Sequence, residues 1–95
     1  MAKINFNNFK MYAGVSRNSS MNVDVREQFA DMIYNNAGGI KAHALALKIY
    51  NSEGKTEYNK EEVGMMRVIA EKFCLLGFID GLMEQIRDKE INTTL

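Results

Sequence analysis

A chain of 95 residues that is 46% apolar is rich enough in core-forming residues to fold as one domain, and a formal net charge of zero argues against a dedicated nucleic-acid binder, which needs a positive excess to release counterions. The single cysteine excludes an internal disulfide and points to a reducing compartment. A polar start, Met1 to Asn8, and the lack of any apolar run long enough to span a bilayer speak against a signal peptide or a membrane anchor.

Residues 3–12 alternate as a strand does. Ile4 and Phe6 share one face, Phe9 and Met11 share one face, and the phase slips at Asn7-Asn8. Two arrangements fit. Asn7-Asn8 is a hairpin turn that sets Phe6 against Phe9 and Ile4 against Met11, or it is a bulge in one strand that pairs with residues 20–23. Either way the ribbon is marginal alone and must lie on helices. Residues 1–23 carry Lys3, Lys10 and Arg17 and no acid, interleaved with Phe6, Phe9 and Tyr12. Aromatics beside cations can stack on bases. The charges are few, however, and packing on helices accounts for the aromatics equally well.

Ala13 to Asn22 reads as a loop. Asp24-Val25-Arg26-Glu27 has the spacing of a capping box and opens a helix over about 24–36, with Val25, Phe29, Met32 and Ile33 as its apolar stripe. Asn35-Asn36-Ala37-Gly38-Gly39 ends that helix, with the glycines as left-handed cap residues. A helix over about 40–51 follows. It is apolar over most of its circumference, with Lys41 and Lys48 on one narrow polar strip, and should be the most enclosed after the main helical stretch. Asn51 to Gly54 ends it, and Lys55 to Tyr58 is a short extended link.

Asn59 to Glu90 holds the densest apolar run, and the rest of the chain is organised around it. Asn59 and Glu62 form a capping box, and Glu61 and Glu62 suit the positive end of the helix dipole. Val63, Met66, Ile69, Ala70 and Phe73 recur on one helical face; Phe78, Ile79, Leu82, Met83 and Ile86 form a second series. One unbroken helix would span roughly 45 Å, whereas a folded chain of this length is only about 32 Å across. A bend is therefore expected at Gly77, with helices over about 60–74 and 77–89 and a frayed end at Asn92 to Leu95. Around the bend, Phe73 to Ile79 is apolar on all sides. Such a segment is buried in the core or against another chain. Phe73, Leu75, Leu76, Phe78 and Ile79 are thus a candidate interface.

Residues with chemical potential have plainer readings beside them. Gly38-Gly39 before a helix, with Lys41 in its first turn, offers free N–H groups to an anion, and Arg17 is a further cation. A plain interhelical turn explains the same glycines. The helix–loop–helix around Gly54 fails as a calcium loop, because Ile49 and Lys60 fall where carboxylates are needed. His43 has no second histidine or cysteine nearby in sequence, so no metal site is expected. A His43–Cys74 dyad is outweighed by an inert buried thiol at Phe73-Cys74-Leu75-Leu76. The carboxylate pairs Glu61–Glu62 and Asp88–Glu90 read as dipole partners or a solvated face.

Two stretches, Ile4-Asn5-Phe6-Asn7-Asn8-Phe9-Lys10 and Ala44-Leu45-Ala46-Leu47-Lys48-Ile49-Tyr50 with Glu53-Gly54 and Glu61-Glu62-Val63 after it, resemble small proteins encoded in bacteriophages, prophages and related mobile elements. The resemblance implies an accessory protein of the host-cell cytoplasm. It transfers no catalytic or ligand residues.

The expected fold is α+β and predominantly α: one domain over 1–95, with a small N-terminal β-ribbon packed on three to four helices. The expected function is non-enzymatic protein–protein interaction, with self-association and an unknown host or phage protein as partners, and with no cofactor. The alternative is a small-ligand protein that captures an anionic nucleotide through Arg17, Gly38, Gly39 and Lys41. A nucleic-acid-binding regulator comes third, and an enzyme last.

Overall fold

In the computed structural model the backbone is described over residues 2–94 and the side chains over residues 2–86, so the expected Asp88–Glu90 pair lies outside the described side chains. The chain runs β1 (Ala2–Asn5), β2 (Phe9–Tyr12), β3 (Ser20–Val23), α1 (Arg26–Asn36), α2 (Ile40–Tyr50), β4 (Lys55–Tyr58), α3 (Lys60–Phe73) and α4 (Leu76–Thr94). The fold is α+β, dominated by helices, with two small antiparallel sheets that draw on the N-terminal strands. Among the described residues no helix is long and apolar enough to cross a membrane.

The strands pair differently from the expected hairpin. Asn7-Asn8 does turn the chain, with the Asn8 N–H donating to Asn5 Oδ1 at 2.9 Å. The two strands it joins belong to separate sheets, however. β2 pairs with β3, Phe9 opposite Val23 and Met11 opposite Met21, as in the second arrangement. β1 pairs instead with Lys55–Tyr58, the expected link, which is strand β4. The register explains the choice. Ala2, Ile4 and Tyr58 turn into the core, while Lys3 stands opposite Glu57 on the exposed face. Phe6 and Phe9 still meet, as parallel rings 5.7 Å apart across the turn rather than across a ladder.

These rings sit in one aromatic cluster. Phe9 stacks on Phe78 at 4.6 Å, Phe78 meets Phe29 at 4.9 Å, and Phe6 contacts both Phe29 (5.4 Å) and the edge of Tyr58 (5.8 Å). Ile33, Leu45, Ile49, Met66 and Leu82 extend the core on either side. Phe6 and Phe9 are wholly buried, so they are not platforms for bases.

Helix α4 is the spine, because it packs on both β1 and β2. It does so through two glycines. A Cβ on Gly77 would overlap the carbonyl oxygen of Tyr12, and one on Gly81 would overlap that of Lys10. Gly77 is therefore not the bend. The break falls at Cys74, in extended backbone (φ −100°, ψ 157°), and Gly77 lies within the first turn of α4. That helix also runs on past the expected end at residue 89.

The two expected capping boxes fare differently. At α3 the box is complete: Glu62 N donates to Asn59 Oδ1 and Asn59 N to Glu62 Oε1, both at 2.8 Å. Glu62 also accepts Lys48 Nζ at 3.1 Å, so the cap ties α3 to α2. Asn59→Ala should destabilise the fold by about 1 kcal/mol in denaturant titrations; no change would mean that water caps the helix equally well. At α1 the box does not form: Val25 takes the N-cap position without a side-chain cap, and the Asp24 carboxylate accepts both the Arg26 backbone N–H (3.1 Å) and its guanidinium (2.8 Å). Likewise Ala37 caps α1 in extended backbone, and Gly39, at φ +93°, precedes α2. The glycines start the next helix rather than end the last one.

Helix α2 is less enclosed than expected, burying Ala42, Leu45, Ala46 and Ile49 and exposing Ile40, Leu47 and Tyr50. Below it, Tyr58 is wholly buried. Its hydroxyl makes no hydrogen bond of ordinary geometry among the described residues, and burial pushes the phenol pKa up against a smaller opposing pull from the Ser52 and Thr56 side chains. An unsatisfied buried hydroxyl costs about 1–3 kcal/mol. Tyr58→Phe is thus expected to raise the denaturation midpoint, equivalent to about 1 kcal/mol. A lowered midpoint would reveal that the hydroxyl is held by Ser52 or Thr56.

Candidate interaction surface

The apolar segment at the α3–α4 corner divides in two. Phe78 enters the aromatic cluster and Ile79 is half-buried against the core. Phe73, Leu75 and Leu76 point outward, with 49%, 78% and 74% of their surfaces exposed. The corner makes this unavoidable. α3 stops at Phe73, Cys74 is extended, and Leu75 accepts the first bond of α4, from Ile79 N at 3.1 Å. Three large side chains then fall on the outside of the turn, uncovered by any described residue to the extent of their exposure.

The corner itself forms one wall of an apolar groove of about 190 Å³, through Phe73, Cys74, Leu75 and Phe78; Met11 of β2 and Val25, Gln28, Phe29 and Met32 of α1 or its entry form the rest. Methionines give it an adaptable wall. The Cys74 Sγ stands 3.4 Å from Met32 Sδ, and burial pushes the thiol pKa up. Cys74 is only partly buried, less enclosed than the expected buried thiol, and lines the groove. His43 lies elsewhere, on the exposed face of α2, 5.8 Å from the Tyr34 ring. Among the described residues no cluster of three or more His, Cys, Asp or Glu converges to hold a metal ion.

Sequence reasoning found the protruding half of this surface but missed Met11, Val25, Phe29 and Met32, which come from distant parts of the chain. The nearest signal was the place of Val25, Phe29 and Met32 on one apolar stripe of α1.

The other expected cluster is distributed. Arg17 has a left-handed backbone (φ +60°), and its guanidinium reaches Asp80 (3.6 Å) and Glu84 (3.9 Å) on α4 while covering the Tyr12 ring at 5.0 Å. The Tyr12 hydroxyl donates to the same Glu84. These contacts pin the β2–β3 loop to the spine. Lys41 pairs with Glu61 of α3 at 2.9 Å, an exposed pair of small energetic worth. Gly38 and Gly39 form the turn into α2, whose N-terminus lacks a side-chain cap. Arg17 and Lys41 are therefore tied to different helices.

The fold and this surface define a class, a small α+β domain with an exposed apolar corner. No protein-family model, no curated protein and no solved structure matches this chain.

Proposed function

We propose that this protein acts without catalysis, by protein–protein contact through the α3–α4 corner, and that its first partner is a second copy of itself. The observation that carries this reading is the triple exposure of Phe73, Leu75 and Leu76 at an apolar groove. Large exposed apolar patches mark interaction surfaces. A groove walled by Phe73 and Leu75, with Leu76 projecting beside it, suits a two-fold contact in which the same patch of both copies meets. A host or phage protein would be the further partner, in the cytoplasm of the host cell. The phage or prophage setting is supported by the sequence resemblance alone.

The test is sedimentation equilibrium across a concentration series, joined to native mass spectrometry. A reversible monomer–dimer equilibrium, with no added mass, is the expected result. A strictly monomeric protein at high micromolar concentration would defeat the self-association. Added mass of a few hundred daltons per chain would favour the nucleotide reading instead.

A further inference from the structure

A second surface lies on the other flank of α1. Val25, Phe29 and Met32 face the apolar groove; Glu27, Asp31 and Tyr34 face a trough shared with α2. Two cavities of about 620 and 340 Å³ share Glu27, Asp31 and Tyr50 in their linings. The floor is made of small buried residues, Ala30 and Ala46. The walls are large and exposed: Tyr34 at 60%, Tyr50 at 52% and Leu47 at 50%.

The charges in this trough do not cancel. Glu27 and Asp31 stand one helical turn apart and make no ion pair with the described residues. His43 also lines the smaller cavity, 5.8 Å from the Tyr34 ring; among the described lining residues Arg26 is the one formal cation, and it is already engaged. Its guanidinium reaches Asp24 at 2.8 and 3.0 Å and the Ser52 carbonyl at 2.9 Å, and it holds the Asp24 carboxyl down at about 2. Three carboxylates against one guanidinium leave the lining at net −2.

We propose that this trough is a docking site for an arginine side chain carried on a basic peptide segment of a partner protein. Alanines floor a channel that takes an aliphatic stem. Tyrosine faces attract a cation at the end of that stem. Carboxylates at the rim accept the guanidinium fork, a geometry that lysine cannot reproduce. A neutral peptide would leave Glu27 and Asp31 without partners, and an acidic one would be repelled. This inference is independent of the α3–α4 corner.

The probe is a fluorescently labelled helical peptide of alanine and leucine with arginines one turn apart, and an isosteric version with citrulline in their place. Anisotropy gives the affinity, and ¹⁵N shifts of the full chain give the location. The arginine peptide is expected to bind, with shifts concentrated on Asp31, Tyr34, Leu47 and Tyr50. Citrulline, or the double change Glu27→Gln with Asp31→Asn, should each weaken binding tenfold or more. Their combination should cost little beyond either alone. Tyr34→Leu should weaken the arginine peptide several-fold, and Glu57→Gln, an exposed acid on β4, should leave it unchanged. The proposal is overturned by no binding at millimolar peptide, by equal affinity for the citrulline peptide, by an equal loss in Glu57→Gln, or by shifts centred on Leu75 and Leu76.

Discussion

Replacing Gly81 with alanine is expected to destabilise this protein by about 3 kcal/mol, although alanine is the better helix former by about 1 kcal/mol. The new Cβ would overlap the Lys10 carbonyl oxygen and lie 2.9 Å from the Phe9 ring carbon Cε1. A side-chain tip can rotate away, but a strand carbonyl cannot move without taking its ladder along. β2 would have to lift off α4, loosening the contact of Phe9 with Phe78 and the Tyr12–Glu84 hydrogen bond. Gly77→Ala should act the same way through the Tyr12 carbonyl. Gly64 on α3 is the control, because a Cβ there meets nothing within 4 Å. Gly64→Ala should stabilise by about 0.5–1 kcal/mol. Equilibrium denaturation of all three variants separates the cases. If Gly81→Ala behaved like Gly64→Ala, the strand would not rest on the helix as described.

The second large effect is on assembly. Leu75→Asp should dissociate the proposed dimer while leaving the folded chain intact or firmer. Leu75 occupies the N-cap position of α4, where its carbonyl takes the Ile79 N–H and its side chain is 78% exposed. Aspartate is among the best residues for that position and should add up to about 1 kcal/mol to the monomer. In a closed interface the same carboxylate would be desolvated without a partner. That costs at least about 3 kcal/mol, more than a hundredfold in Kd. Leu76→Asp, one residue further on, should act alike, because an acid in the first turn also suits the helix dipole. The readouts are sedimentation equilibrium for the mass and thermal melting for the fold. A variant that melts normally yet keeps its dimer would sink the interface at this corner. One that melts far below the parent would show that Leu75 supports the core.

The helices were legible because the information for a helix is local. The spacing of Val63, Met66, Ile69 and Ala70, and the reciprocal bonds between Asn59 and Glu62, involve residues within a turn or two of one another. The α+β class, the break between α3 and α4 and the β2–β3 pairing could be read from the chain in the same way, the last as one of two alternatives. What failed was whatever depended on a distant partner. Lys55–Tyr58 carries no sign that it pairs with residues 2–5, since the Lys3–Glu57 match means something only once the register is known. Gly77 looked like a hinge because its helical neighbours were visible and the strand carbonyl beside it was not.

The candidate surface divides along the same line. That Phe73 to Ile79 is apolar on every side is a property of the sequence. Which of those residues faces solvent was settled by tertiary structure, through the extended backbone at Cys74, which turns Phe78 inward and leaves Leu75 and Leu76 on the outside of the turn. The sequence by itself determined where the helices are and how apolar each one is, because those follow from residue type and a short period. Only the tertiary structure decided which strands pair, which glycines admit a neighbouring backbone and which apolar side chains lack cover, because each depends on groups that the chain brings together from far apart.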